Sequence, residues 1–277
     1  KEPWLLPLET RCSMLHDALT KGKKTALLLY EAPDTSTFRY RGYNIFRASQ
    51  NSKEWASIYF FMNETDVVIQ MLPLAQLLVI IRIKWTHDID QIIYRAKERD
   101  IKVLFDVDDL IFDLDYLNLV TNTLNVEFKS ERDYEFWFAC IGRIGFTASK
   151  ADGFITTNSF LGEKLRSKFN KPYGIIVNSI NQEQLRASVK ILEIKRTQQN
   201  RKPFALGYFS GTPSHINDFK IVSEEIMELL TEFPDINLDV VGFMEFPQSM
   251  KSFLDRKRIT FTPLVDFIEL QRLIAQV

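Results

Sequence analysis

Gly207-Tyr208-Phe209-Ser210-Gly211-Thr212 follows the apolar run Pro203-Phe204-Ala205-Leu206 and precedes a helical pattern from Asp218 to Phe233. The run reads as a short buried strand. A strand, a small-residue turn and a helix make a phosphate-binding geometry. Glycine has no Cβ, so backbone N–H groups come close to an anion, and the helix N-terminus adds free N–H groups and a positive dipole. Gly207, Ser210, Gly211 and Thr212, with His215 just beyond, are the candidate phosphate ligands. The same glycine pair serves equally for turn geometry alone, and His215 equally for a capping loop.

About a hundred residues earlier, Val103-Leu104-Phe105-Asp106-Val107-Asp108-Asp109-Leu110-Ile111-Phe112-Asp113 runs a buried strand into four carboxylates. Asp106 and Asp108 share a face if the strand continues through them. Paired carboxylates hold a divalent ion, act as a base or fix sugar hydroxyls; the plainer reading has Asp109 or Asp113 capping a helix and the others solvated. The two stretches, one in each half of the chain, resemble the nucleotide-sugar glycosyltransferases of the GT-B fold, bacterial surface-polysaccharide type. The likeness covers about residues 25 to 277.

The resemblance implies an α/β chain of two Rossmann-like domains with parallel sheets. They are expected at 25–195 (acceptor side) and 196–277 (donor side), after a lead-in at 1–24. It implies sugar transfer from a nucleotide-diphosphate sugar to a glycan or lipid-linked acceptor, the nucleotide sugar being a co-substrate, with no other cofactor and no metal. A non-catalytic relative serving as a binding or chaperone subunit is the alternative. Asp106 or Asp108 becomes the acceptor-side carboxylate, with His87 as the other candidate base. The Glu-x7-Glu segment and glycine-rich turn that complete such a donor site are not found before Val277, so the second domain is expected to be partial and the activity of this chain uncertain.

Outward from these stretches, Thr25–Tyr30 (TALLLY), Leu77–Ile83 and Ile101–Phe105 read as buried strands, with a helix to about Arg99 capped by Thr86 or Asp88. Strand, helix, strand at this spacing is a βαβ unit and so a parallel sheet. No Gly-x-Gly-x-x-Gly follows the first strand, which disfavours a dinucleotide site. The loop Glu31–Tyr43 follows that strand. If it is extended, Arg39 and Arg41 point the same way beside Tyr40 and can hold an acceptor or a phosphate; a solvated loop is the competing reading. Arg82, at the end of the next strand, is a further anion candidate. His87 is a cleft residue or a plain loop histidine. Ala151–Asn158 reads as a strand and polar turn, and Asn178-Ser179-Ile180-Asn181 as a second turn at the ligand edge. Asn181–Lys202, polar and basic with no strong apolar period, reads as a connection that could touch anionic lipid.

Composition narrows the rest. Of 277 residues 45% are hydrophobic and 26% charged, enough for a real core. A net charge of −1 gives no global field toward nucleic acid or an anionic membrane, and no nucleic-acid partner is expected. Two distant cysteines fit a reducing compartment and no disulfide scaffold. The opening Lys1-Glu2-Pro3-Trp4 has no apolar leader, and the absence of Met fits a trimmed chain. A cytoplasmic protein is expected, with room for peripheral contact at the inner membrane face. The donor sugar, the acceptor and the oligomeric state stay open.

Overall fold

The computed structural model describes residues 3–34, 37–124, 126–197, 204–211 and 216–277. The chain divides into two compact units, Lys1–Thr121 with Glu127–Asn181, and Asn122–Val126 with Gln182–Val277.

The first unit is built on a six-stranded, all-parallel sheet of order β2-β1-β3-β4-β5-β6. Its strands are β1 (Lys24–Tyr30), β2 (Trp55–Phe61), β3 (Leu77–Ile81), β4 (Lys102–Val107), β5 (Gly153–Thr156) and β6 (Tyr173–Ile175). Sequences such as TALLLY and LLVII are apolar without alternation because both faces of a parallel sheet are covered. Leu27, Leu29, Leu78, Ile81, Val103 and Phe105 are accordingly buried. The covering helices are α1 (Leu8–Thr20), α2 (Asn44–Gln50), α3 (Thr65–Met71), α4 (His87–Lys97), α5 (Leu117–Thr123), α6 (Glu131–Lys150) and α7 (Ser159–Phe169). Helix α4 shows the local logic. Thr86 Oγ1 accepts from Ile89 N, Asp88 and Asp90 sit at the positive end, Arg95 and Lys97 at the negative end, and Ile89, Ile92, Ile93 and Ala96 form the buried stripe. Gly145 lets α6 lie against the main chain after β4, since a Cβ there would stand 2.4 Å from the Phe112 carbonyl oxygen.

From Trp4 onward the segment expected as a lead-in packs into this core. Trp4 is 1% exposed, and its carbonyl accepts from Tyr59 Oη at 2.8 Å. Its ring meets Phe38 and Tyr43 edge-on at 6.4 and 5.6 Å. Arg11 of α1 donates to the Tyr59 carbonyl at 2.7 Å and to both oxygens of Glu64.

Two further expectations are corrected. Phe38–Tyr43, read as part of a loop in which Arg39 and Arg41 would align if extended, is helical and contains a π-helical turn at Arg39–Tyr43 that runs into α2. The stretch read as a connection after Asn181 is a helix, α8 (Gln182–Thr197), whose polar face hid its period.

The second unit carries a three-stranded parallel sheet, β7-β8-β9, from β7 (Ala205–Phe209), β8 (Asn237–Val241) and β9 (Ile259–Thr262). Helices α9 (Ile216–Glu232), α10 (Lys251–Asp255) and α11 (Phe267–Ile274) complete it. Phe219, Leu230, Leu238, Val240, Met250 and Ile259 form its core. Helix α8 joins α11 through Ser188 Oγ and Gln271 Oε1 at 2.9 Å. Among the described residues no helix is long and apolar enough to cross a membrane.

Trp4→Ala is expected to destabilise the first unit by about 3–5 kcal/mol, the ordinary cost of deleting a buried indole. Urea denaturation followed by circular dichroism measures it, and an unchanged midpoint would mean that this segment does not belong to the core.

Candidate functional site

Parallel strands all end on one edge, and in open α/β sheets that carboxyl edge is where ligands bind. In the first unit the register aligns Ile81 with Asp106, Val107 with Thr156, and Thr156 with Ile175. The edge therefore gathers Tyr30, Arg82, Asp106 to Asp109 and the chain after Ile175.

Two of the expected site residues meet there, but inside the protein. Arg41 Nε and Nη2 donate to Asp106 Oδ1 and Oδ2, both at 2.8 Å, and both side chains are 0% exposed. Arg41 Nη1 also donates to the Ile176 carbonyl at 2.5 Å and to Asn178 Oδ1 at 3.3 Å. A fully enclosed pair cannot meet a substrate, so Asp106 and Arg41 hold the edge together rather than act on it. Burial pushes the Asp106 carboxyl up to about 6, and the guanidinium beside it opposes a further rise. Asn44 extends the link: its amide donates to the Ser179 carbonyl at 2.6 Å, and its Oδ1 accepts from Asn181 at 3.1 Å.

Arg82 and Asp108 lie at the rim. Arg82 has a φ of 55°, a left-handed conformation uncommon outside glycine. Its N–H donates to the Asp106 carbonyl at 2.9 Å, and its Nη1 lies 2.8 to 2.9 Å from Thr37 Oγ1, Asp108 Oδ1 and Asp109 Oδ2. The expected anion ligand is thus matched by two carboxylates. Asp108 is 11% exposed and Asp109 58%. Burial raises the Asp108 carboxyl above its ordinary range, with Arg82 pulling the other way. Tyr30 Oη donates to Asp34 at 2.5 Å, and burial raises that phenol as well.

The remaining first-unit candidates spread out. Arg39 is largely buried, donates to Tyr40 Oη at 2.7 Å and lies 4.4 Å over the Tyr40 ring. His87 is exposed as the first residue of α4. Asp113 caps the 3-10 turn Leu114–Tyr116 and pairs with Lys168 at 2.5 Å. Among the described residues no group of three or more His, Cys, Asp or Glu side chains is placed to hold a metal ion.

In the second unit Gly207 lies within β7 rather than in the turn, and Ser210 and Gly211 follow it. Thr212 and His215 lie outside the described residues. Ser210 N donates to the Val241 carbonyl at 2.8 Å. Gly242, just after β8, has a φ of +113°, and a Cβ on it would fall 1.7 Å from the Ser210 carbonyl oxygen. Only glycine fits that approach. Sequence reading passed over Gly242, although a strand ending in Val-Val-Gly is the available signal. Among the described residues nothing lies within 4 Å of where a Cβ on Gly211 would stand. Among the described hydroxyls, Thr156 Oγ1 and Ser210 Oγ are buried without a hydrogen-bond partner. Each closes the carboxyl end of a strand, one in each unit. Thr156 is fully enclosed, whereas Ser210 retains slight exposure.

These two α/β units with all-parallel sheets give the chain a GT-B-like fold. The chain resembles, at 9% identity and a TM-score of 0.50, a Listeria monocytogenes protein described as a UDP-N-acetylglucosamine 2-epimerase, over 91% of this chain and 72% of that one. It also matches Anabaena Alr3699/HepE in complex with UDP (11% identity, TM-score 0.49, 89% and 71% covered) and a UDP-glucosyltransferase from Polygonum tinctorium (13%, 0.39, 88% and 71%). No protein-family model and no curated protein matches the chain.

Arg41→Met is expected to cost about 3–5 kcal/mol near pH 7.5, because it leaves a buried carboxylate without its partner. The sign with pH follows from the raised Asp106 value. A carboxyl whose folded pKa exceeds its unfolded one contributes stability below the unfolded value and loses it as pH rises through the folded one. Without Arg41 that folded pKa climbs further, so the variant should recover stability on moving from pH 7.5 to pH 5. Urea titrations at both values, with Arg41→Met/Asp106→Leu as the apolar control, measure this; equal loss at both pH values would contradict it.

Proposed function

We propose that this chain is a GT-B-fold glycosyltransferase that moves a sugar from a nucleotide-diphosphate sugar to a glycan or lipid-linked acceptor in cell-surface polysaccharide or glycoconjugate synthesis. The observation that carries the reading is the turn after β7. Ser210 Oγ is buried with no hydrogen-bond partner among the described residues, and Gly242 keeps the neighbouring strand end free of a side chain. A buried hydroxyl without a partner costs about 1–3 kcal/mol, which a ligand oxygen would remove. The Ser210 hydroxyl and the Gly211 N–H are suited to the donor diphosphate, with Thr212 and His215 as further proposed contacts. As the bond from the sugar to the diphosphate breaks, negative charge grows on the leaving oxygen, and fixed donors stabilise it without a metal.

On the acceptor side the reading moves from Asp106 to Asp108. Asp108 is at the rim, is positioned by Arg82, and has a raised pKa that suits a group taking a proton from a hydroxyl. If the reaction inverts configuration, Asp108 or the exposed His87 receives the acceptor proton. A retaining reaction needs no strong base. Arg39 and Tyr40 remain proposed acceptor contacts, and Arg82 acts through Asp108 and Asp109.

A second reading follows from the fold neighbour described as an epimerase: a nucleotide-sugar epimerase would use the same diphosphate turn but no acceptor. Calorimetry with UDP, GDP and ADP and their sugars tests the shared part. Gly211→Trp, which meets no described atom at its Cβ position, should abolish binding without unfolding the chain, and Ser210→Ala should weaken it about tenfold. Incubation of the bound nucleotide sugar with and without glycan acceptors then separates the classes. Transfer to an acceptor supports the transferase, and altered sugar stereochemistry without acceptor supports the epimerase. Binding without turnover leaves the non-catalytic relative, and no nucleotide binding at all removes the proposal.

A further inference from the structure

Helix α7 starts where β5 ends, so its first turns stand at the carboxyl edge of the sheet, one strand along from the Asp108 loop after β4. Asn158 Oδ1 caps it by accepting from Leu161 N at 3.0 Å. Its inward stripe is Leu161, Gly162 and Leu165, all buried. Phe160 lies off that stripe and is 60% exposed, so packing on the sheet does not account for it. With Ser159, Glu163, Lys164 and Ser167 it lines an open groove of about 390 Å³ on the flank of the helix.

Lys164 sets the charge of this groove. Its ammonium donates to Tyr116 Oη at 2.6 Å, and it lies 5.1 Å over the Tyr116 ring and 5.5 Å over the Phe160 ring. Two aromatic rings and a phenol therefore hold the cation in place. The other cations of α7 are matched by carboxylates. Arg166 donates to Glu163 Oε2 through Nε and Nη2, and Lys168 pairs with Asp113 at 2.5 Å. Glu163 is already committed: it also accepts from Tyr173 Oη at 2.7 Å, and the Tyr173 and Arg166 donors hold its carboxyl below the ordinary range. Among the described residues no carboxylate lies within ion-pair distance of Lys164. An ammonium has three N–H donors and only one is spent on Tyr116, while the phenol, accepting from Lys164, keeps its own O–H.

We propose that this groove binds an acidic saccharide, a hexuronate unit whose carboxylate pairs with Lys164 and whose C–H face lies on the Phe160 ring. The charge fixes the sign of the ligand. A half-buried cation without a counter-charge gains more from an anion than a freely solvated lysine does, because water screens the pair less. The ring separates a saccharide from a bare anion. Phosphate would use Lys164 and leave Phe160 in water, whereas a pyranose has an apolar face of its own to cover the ring. Ser159 and Ser167, about 12 Å apart along the helix, add hydroxyls for those of the sugar. The binding rests on these residues alone. Its use, to seat the sugar units of an acidic acceptor along the edge from Asp108, rests on the transferase reading.

Calorimetry of the full chain with tetramers of glucuronate, mannuronate and galacturonate, and with cellotetraose as the neutral control, tests it. At least one hexuronate should bind, and cellotetraose should bind at least about tenfold more weakly. Lys164→Met should bring the hexuronate down to the level of cellotetraose. Phe160→Ser should also weaken the hexuronate about tenfold or more. Circular dichroism and nucleotide binding should stay unchanged in both variants, because neither side chain belongs to the buried core. Inorganic phosphate at equal concentration should not displace the sugar. Four results would overturn the proposal: no hexuronate binding, equal binding of cellotetraose, full displacement by phosphate, or binding that survives both substitutions. The sugar titration contains no nucleotide, so its failure leaves the transferase reading standing, and failure of nucleotide binding leaves the saccharide groove standing.

Discussion

Arg41 carries a positive charge into a place that water does not reach, and the carboxyl edge of the first unit is arranged around making that tolerable. The guanidinium has five N–H donors and no way to lose its proton. Asp106 takes two of them in a fork, and the Ile176 carbonyl and Asn178 take others. Those acceptors come from the end of β4 and from the chain after β6, while Arg41 itself sits in a π-helical turn after β1. One side chain therefore ties three strand ends together. The π-helical turn is part of the same constraint, since an inserted residue in a helix re-aims a side chain. Once Asp106 is committed inward, the carboxylates left for the surface are Asp108 and Asp109, and Arg82 bridges them from its left-handed position after β3.

The parallel α/β architecture was legible because its signal is one of composition. Runs such as TALLLY and LLVII leave no room for a solvated face, and spacing between them sufficient for a helix forces a parallel sheet. What failed was local. Phe38–Tyr43 alternates aromatic and basic residues, an extended pattern on paper, yet it coils because Phe38 fills the aromatic core with Trp4, Tyr59 and Phe61. Helix α8 was missed because Leu185, Val189 and Leu192, spaced for one helical face, stay exposed among many charges.

The site was half legible. The residue types at the strand ends were found, but not their partners, because pairing across 65 or 135 positions of sequence leaves no local trace. An aspartate that will be fully buried against an arginine looks the same in sequence as one that will face a ligand; only the fold separates Asp106 from Asp108. The Gly turn shows the same limit in reverse. Gly207 drew attention by its spacing with Gly211, yet it lies inside β7, and the glycine that meets Ser210 is Gly242, from the next strand.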